Sequence, residues 1–190
     1  MPQLSHPAAL ALVAAAALLL SGCTGDAPVV LPSPQSSTAP VFASDEEALA
    51  AAEEAYGRYL EASDAILVDG GEDPQRLLEV ASESVYEYQL DGYQRAAELG
   101  HRSTGGSTFD SMELQQYDPA ASAGEPVVVV YACEDISAVD ILDAQGKSVV
   151  TDSRDDRFPV EIAFELKSIG EQALLVSSAE DWSGVDFCEG

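Results

Sequence analysis

The sequence predicts an α+β domain behind a short apolar leader. Helical periodicity fills the first half of the domain, period-two alternation fills the second, and the two do not interleave as βαβ units would. The expected order is therefore about three helices, then about six mostly antiparallel strands.

The leader is Ala8 to Leu20, thirteen residues that are all Ala, Leu or Val. Such a run is too short to span a hydrocarbon core of about 30 Å and fits the apolar region of a signal peptide. Leu20-Ser21-Gly22-Cys23 follows at once. These four residues resemble the bacterial lipobox, in which two small residues precede a cysteine that is acylated on sulfur and becomes the new N-terminus after cleavage. The resemblance implies that residues 1–22 are a lipoprotein signal peptide and that Cys23 is lipidated. It also implies anchorage in the bilayer on the extracytoplasmic face of the cell membrane. Each buried methylene of the anchor adds about 0.8 kcal/mol, and two or more chains are needed to hold a protein stably. One feature departs from the pattern: Met1 to Pro7 contains no Lys or Arg, only His6 and the terminal amine.

Residues 23–43 are expected to form a disordered tether. From Thr24 onward they are rich in Pro, Ser, Thr, Ala and Gly, and cannot bury enough apolar surface to offset the entropy of ordering. Pro28, Pro32, Pro34 and Pro40 favour an extended path away from the headgroups.

The domain proper is expected over 44–190. Ser44 and Glu47 have the spacing of a capping box, and Asp45, Glu46 and Glu47 suit the positive end of a helix dipole. Leu49, Ala52, Tyr56, Tyr59, Leu60, Ile66 and Leu67 then share one helical face, which Asp69-Gly70-Gly71 ends. Asp73-Pro74 reads as the cap and first position of a short second helix carrying Leu77, Leu78 and Ala81. A third helix spans about Glu83 to Leu99 and stops at Gly100, with Val85, Leu90, Tyr93, Ala96 and Ala97 available for packing.

Beyond Gly105-Gly106 the period becomes that of strands. Phe158, Val160, Ile162, Phe164 and Leu166 alternate with Glu161, Ala163, Glu165 and Lys167, one face dry and the other wet. Val127 to Tyr131 is apolar on both faces and reads as a central strand. Val139 to Leu142 and Ser148 to Thr151 flank the turn Asp143-Ala144-Gln145-Gly146 and predict a hairpin. Met112 to Tyr117 and Ala173 to Ser177 supply two further strands.

Composition narrows the function classes. Thirty-four acidic residues against eight Lys plus Arg give a net charge of −26. That field repels phosphate backbones, so no nucleic-acid partner is expected. It reads first as the solubilising surface of an extracellular domain. With Cys23 acylated, Cys133 and Cys188 remain as an even pair in an oxidising compartment, and a disulfide is expected between them.

The helix Ala52 to Ile66, the following Asp73-Pro74, the stretch His101-Arg102-Ser103-Thr104-Gly105, and Cys133-Glu134-Asp135-Ile136-Ser137 ahead of the Asp143 to Gly146 turn carry a further resemblance. Over roughly Ala43 to Gly190 the chain resembles a group of actinobacterial secreted lipoproteins with a nuclear transport factor 2-like, or SnoaL-like, domain. The resemblance implies a strongly curved sheet wrapped round a long helix, a cone with an open apolar mouth. Some members of that superfamily are enzymes that use an Asp or His in the cone, and others only bind or dimerise, so fold alone does not assign function.

No catalytic constellation stands out in the residues themselves. His101 follows a helix end and reads as a favourable C-terminal group rather than a base. Tyr86, Tyr88 and Tyr93 read as core at helical spacing. There is no Gly-x-Ser-x-Gly elbow, no cysteine with a plausible base, and no phosphate cradle at Gly105-Gly106. Asp152, Asp155 and Asp156, or Asp69, Glu72 and Asp73, do not match a calcium loop and read as solvated acidic turns, so neither metal nor cofactor is expected. Asp135 and Ser137 are expected to bond their own backbone beyond a strand ended by Cys133, and Trp182 to pack over the sheet near the bridge. The reading that results is a non-catalytic module binding an envelope protein or a small apolar ligand. Its alternative is a small isomerase, cyclase or dehydratase using carboxylates in the cone.

Overall fold

Helix α1, Asp45–Val68, opens the described fold of the computed structural model, which covers residues 40–168 and 171–189. The leader and Cys23 lie outside the described residues. Ser44 caps α1 by accepting from the Glu47 amide at 3.3 Å, while the Glu47 carboxylate accepts from Ala43 N rather than from Ser44. The capping box is thus displaced by one residue. Val41 and Phe42, which composition assigns to the tether, pack with the domain: Phe42 is 2 % exposed and exchanges backbone hydrogen bonds with the Tyr117 hydroxyl.

Asp73 and Pro74 do begin a helical turn, but it is a 3-10 turn, Pro74–Glu79, and Asp73 does not cap it. Its backbone is left-handed (φ 50°) and its side chain makes no cap bond. Helix α2, Glu83–Leu99, is capped by Ser82 and closed by Gly100 in the left-handed region. Of the five residues expected to pack on α2, Val85 and Tyr93 are buried, Leu90 and Ala96 are half-buried, and Ala97 is exposed. The helices approach closely where Gly71 (φ 82°) leaves α1: a Cβ there would collide with the carbonyl of Tyr93.

Six strands follow: β1 (Arg102–Thr104), β2 (Thr108–Tyr117), β3 (Val128–Asp135), β4 (Asp140–Leu142), β5 (Arg157–Leu166) and β6 (Leu174–Asp181). They form a four-stranded sheet in the order β2-β3-β5-β6 and a two-stranded sheet of β1 with β4, all pairs antiparallel. The class is α+β and the larger sheet is open. The expected hairpin forms in part. The turn at Asp143 to Gly146 forms, with Gly146 at φ 78° and Asp143 Oδ1 accepting from Gln145 N and Lys147 N. Beyond it, Lys147 to Val149 pairs with β4: Asp143 N donates to the Lys147 carbonyl, Val149 N donates to the Ile141 carbonyl and Leu142 bridges Ser148, while β1 occupies the other edge of β4 and no ladder reaches Thr151.

The core is a sandwich of α1 against the four-stranded sheet. Ala48, Ala52, Ala55, Tyr56 and Ile66 from the helix meet Val128, Val130, Ile162, Phe164 and Val176 from the sheet. One sheet edge, β6, is covered by Val80 to Ser82, which exchange backbone bonds with Val176. The other edge, β2, is blunted by two register shifts and by the left-handed Ser111 (φ 53°).

The opposite face of the sheet is closed by the C-terminal tail. Cys133 and Cys188 form the expected disulfide, with Cα atoms 5.6 Å apart. Cys133 does not end its strand, since β3 runs on to Asp135. Trp182 packs on Tyr131 with ring centroids 4.6 Å apart, and Phe187 lies 6.0 Å from the same ring. Arg157 ties the tail down: its Nε donates to the Cys188 carbonyl and its two terminal nitrogens donate to Asp110, each at 2.7 Å. Those bonds hold the Asp110 carboxyl down at about 2. Its contribution to stability is therefore present above the ordinary carboxylate range and lost as pH falls through about 2, and being exposed it is screened by salt.

Candidate functional site

The alternation of β3 decides what faces the helices. Val128, Val130 and Ala132 point inward, and two residues further on the same face carries Glu134, whereas Cys133 points outward to the tail. Register places Phe109 of β2 and Phe158 of β5 directly beside Glu134. A carboxylate therefore stands between two phenylalanines on the inner face, where solubility gains nothing from it.

Tyr56 answers it from α1. The Tyr56 hydroxyl donates to Glu134 Oε2 at 2.5 Å, and the tyrosine ring meets Phe109 edge-on at 5.1 Å and stacks on Tyr59 at 5.8 Å. Burial raises the proton affinity of Glu134, the Tyr56 bond lowers it, and the charges of Asp64 and Asp181 raise it again, for a net upward shift. Burial and the adjacent Glu134 charge likewise push Tyr56 well above the usual phenol range. Tyr59, buried and bonded by the Gln89 amide at 3.0 Å, is pushed up to about 12. Both phenols are thus hydrogen-bonding groups, not anions, at neutral pH.

Glu134, Phe158 and Tyr59 line a cleft of about 790 Å³ between the helices and one end of the sheet, with Tyr56 and Phe109 behind that wall. The other end of the sheet is filled by the core. Helix α1 contributes Tyr59 and Ser63; α2 contributes Ser84, Val85, Tyr88 and Gln89, spaced so that one face looks into the opening. The sheet contributes Glu134, Phe158, Val160 and Ser177 to Asp181. The wall is mixed, with apolar and aromatic side chains interleaved with hydroxyls, one amide and three carboxylates, and so differs from the apolar mouth that the resemblance implies. Among the described residues no Lys, Arg or His lines it.

Residues singled out in the sequence fall mostly elsewhere. His101 is fixed through its amide to the Ala96 carbonyl at the end of α2 and does not line the cleft. Of the three tyrosines read as core, Tyr93 is buried and bonds Ser63, Tyr86 is half-buried, and Tyr88 is 80 % exposed at the cleft mouth. Asp135 accepts from Ser137 N at 2.8 Å, as expected of a local turn. Asp69 pairs with Arg76 and Asp156 with Arg154. Among the described residues no group of His, Cys, Asp and Glu converges as a metal site, and no helix is long and apolar enough to cross a membrane.

Sequence reasoning missed Glu134 and Tyr56 as a pair. The available signal was period two: once Val128 and Val130 face the core, so must Glu134, provided the strand continues that far.

Fold and site together define an α+β protein with a ligand-sized cleft between a helical layer and an open antiparallel sheet. No family model matches this chain, and no curated protein matches it.

Proposed function

We propose that this chain is a lipid-anchored extracytoplasmic binding module whose cleft takes a small ligand. The observation that carries the ligand reading is the cleft itself. Its volume of about 790 Å³ lies within the range of small-molecule sites, and its wall sets Val85, Phe158, Val160 and Ala179 among hydroxyls, an amide and carboxylates. The open sheet, with α1 laid against it, is compatible with a nuclear transport factor 2-like cone whose mouth is this cleft. Residues 1–22 are then the signal peptide, the following residues to about position 40 the tether, and the rest, from Val41 and Phe42 onward, the ligand-binding domain. The mixed wall favours a ligand with both an apolar body and hydrogen-bonding groups over a purely apolar one.

The anchor is tested by substitution. A Cys23→Ala variant is expected to lack the diacylglyceryl mass and, where its leader is cut, to leave the membrane fraction, while the parent gives a mature mass beginning at a diacylglyceryl Cys23. A variant whose leader is cut at the same bond and that stays with the membrane as firmly as the parent contradicts the anchor.

A second reading, favoured by the raised proton affinity of Glu134, is an isomerase, cyclase or dehydratase in which that carboxyl moves a proton. The two readings part on the fate of the ligand. A binding module returns its ligand unchanged after prolonged incubation, whereas an enzyme returns a product of altered mass or retention, and loses that conversion in Glu134→Gln.

A further inference from the structure

We infer that the cleft selects a small organic cation, a protonated amine on an apolar body, with the ammonium group seated against Glu134. The inference rests on the cleft being a binding site and names the class of ligand it takes.

The first argument is the sign of the wall. Glu134, Glu180 and Asp181 line the cleft, and among the described residues no basic side chain does. An acidic chain scatters carboxylates over its exposed surface, so Glu180 alone would say little. Glu134 is different: it lies between Phe109 and Phe158 on the inner face, where a carboxylate is costly to hold and contributes nothing to solubility. The Tyr56 hydroxyl supplies one hydrogen bond to one of its oxygens, and no cation supplies the rest among the described residues. The second argument is independent of charge. Ser177 is one of the residues lining the same cleft, and its hydroxyl oxygen, shielded from solvent, has no hydrogen-bond partner among the described residues. A buried hydroxyl without a partner is uncommon, and the polar group of a seated ligand is one way to supply it. The third is the mouth, where Tyr88 holds its ring 80 % exposed beside the opening. An aromatic face there attracts an approaching ammonium and covers an apolar body once it is seated. The mutual repulsion of Glu134 with Asp64 and Asp181, part of what raises its proton affinity, is relieved by a positive charge.

Three probes of nearly equal shape and different charge test this on the mature chain: phenethylamine, 2-phenylethanol and 3-phenylpropionate. Affinity is read by calorimetry and location by the backbone amide shifts of Ser178, Ala179 and Asp181. Phenethylamine is expected to bind about tenfold tighter than the alcohol, since a charge-assisted bond exceeds a neutral one by that order, and 3-phenylpropionate is expected not to bind. Glu134→Gln, which keeps an acceptor for the Tyr56 hydroxyl, is expected to fold with an unchanged amide spectrum away from the cleft and to lose the preference for the amine. Glu165→Gln, a carboxylate of β5 outside the cleft lining, is expected to keep it. Equal binding of amine and alcohol overturns the cation and leaves the cleft. Equal loss in Glu134→Gln and Glu165→Gln overturns the site in favour of bulk charge attraction. Absence of cleft shifts with all three probes overturns both this inference and the ligand-binding reading beneath it.

Discussion

With Cys133 and Cys188 both replaced by serine, the domain is expected to lose about 4 kcal/mol of unfolding free energy. The bridge closes a loop of 55 residues, and the chain entropy removed from the unfolded state by a loop of that length amounts to about 4 kcal/mol. A small domain commands only about 5–15 kcal/mol in total, so the variant stands near the edge of folding. The effect should also be local. Without the bridge, the tail keeps its Trp182 amide bond to Pro159 and the bond from Arg157 Nε, but loses the covalent tie that presses Phe187 towards Tyr131. Urea unfolding followed by Trp182 fluorescence measures both consequences: a lower midpoint, and an emission shifted to the red in the folded baseline. An unchanged midpoint would mean that the bridge constrains nothing the fold needs.

Tyr56→Ala is expected to cost on the order of 4 kcal/mol, the usual range for truncating a buried aromatic residue. Tyr56 is fully buried, stacked on Tyr59, set edge-on to Phe109 and bonded to Glu134. Its removal opens a cavity under the cleft and strands a carboxylate among phenylalanines. Tyr56→Phe separates the two effects. It keeps the ring and loses only the hydroxyl, so it should cost roughly 1–3 kcal/mol, the penalty of leaving a shielded acceptor unpaired. Denaturant midpoints of the two variants give the comparison. If Phe costs as much as Ala, packing is not what Tyr56 supplies.

How far the fold was legible depended on whether an element announces its own ends. Helix α1 was legible from Ser44 to Asp69-Gly70-Gly71, and α2 from Ser82 to Gly100, because cap and stop residues act locally. β5 was legible because it pairs on both edges and turns Val160, Ile162 and Phe164 into the core, which imposes alternation along the strand. Strand β1 was not, since three residues, Arg-Ser-Thr, carry no period and owe their pairing to β4. The hairpin about Asp143 to Gly146 was legible from its turn chemistry, although its second arm pairs with β4 only as far as Val149. The first half of β2 was hidden by the irregularity after Asp110, with Ser111 left-handed, which breaks the alternation a reader looks for.

The site was less legible than the fold. Cys133 drew attention because its chemistry is visible in the letters, and the pairing with Cys188 followed from counting. Glu134, its neighbour, looked like another acidic residue in an acidic chain. Its distinction comes from the residues beside it in space, Phe109, Phe158 and Tyr56, which are 25, 24 and 78 positions away in sequence. Tyr88 shows the converse: helical spacing marked it as core, but α2 turns it out to the mouth of the cleft.

The raised proton affinity of Glu134 fixes the sign of a pH effect. Between the ordinary glutamate range and its folded value, the native state holds a proton that the unfolded state has released, so stability falls as pH rises through that interval. At neutral pH, Glu134→Gln should accordingly be no less stable than the parent.

The account turns on Glu134 being a desolvated carboxyl at the floor of an accessible cleft. Carbon-13 NMR titration of its side-chain carboxyl tests that directly. The account predicts a midpoint above the ordinary glutamate range, moving higher in Tyr56→Phe as the donated hydrogen bond is lost. A midpoint within or below that range, unmoved by Tyr56→Phe, would contradict it.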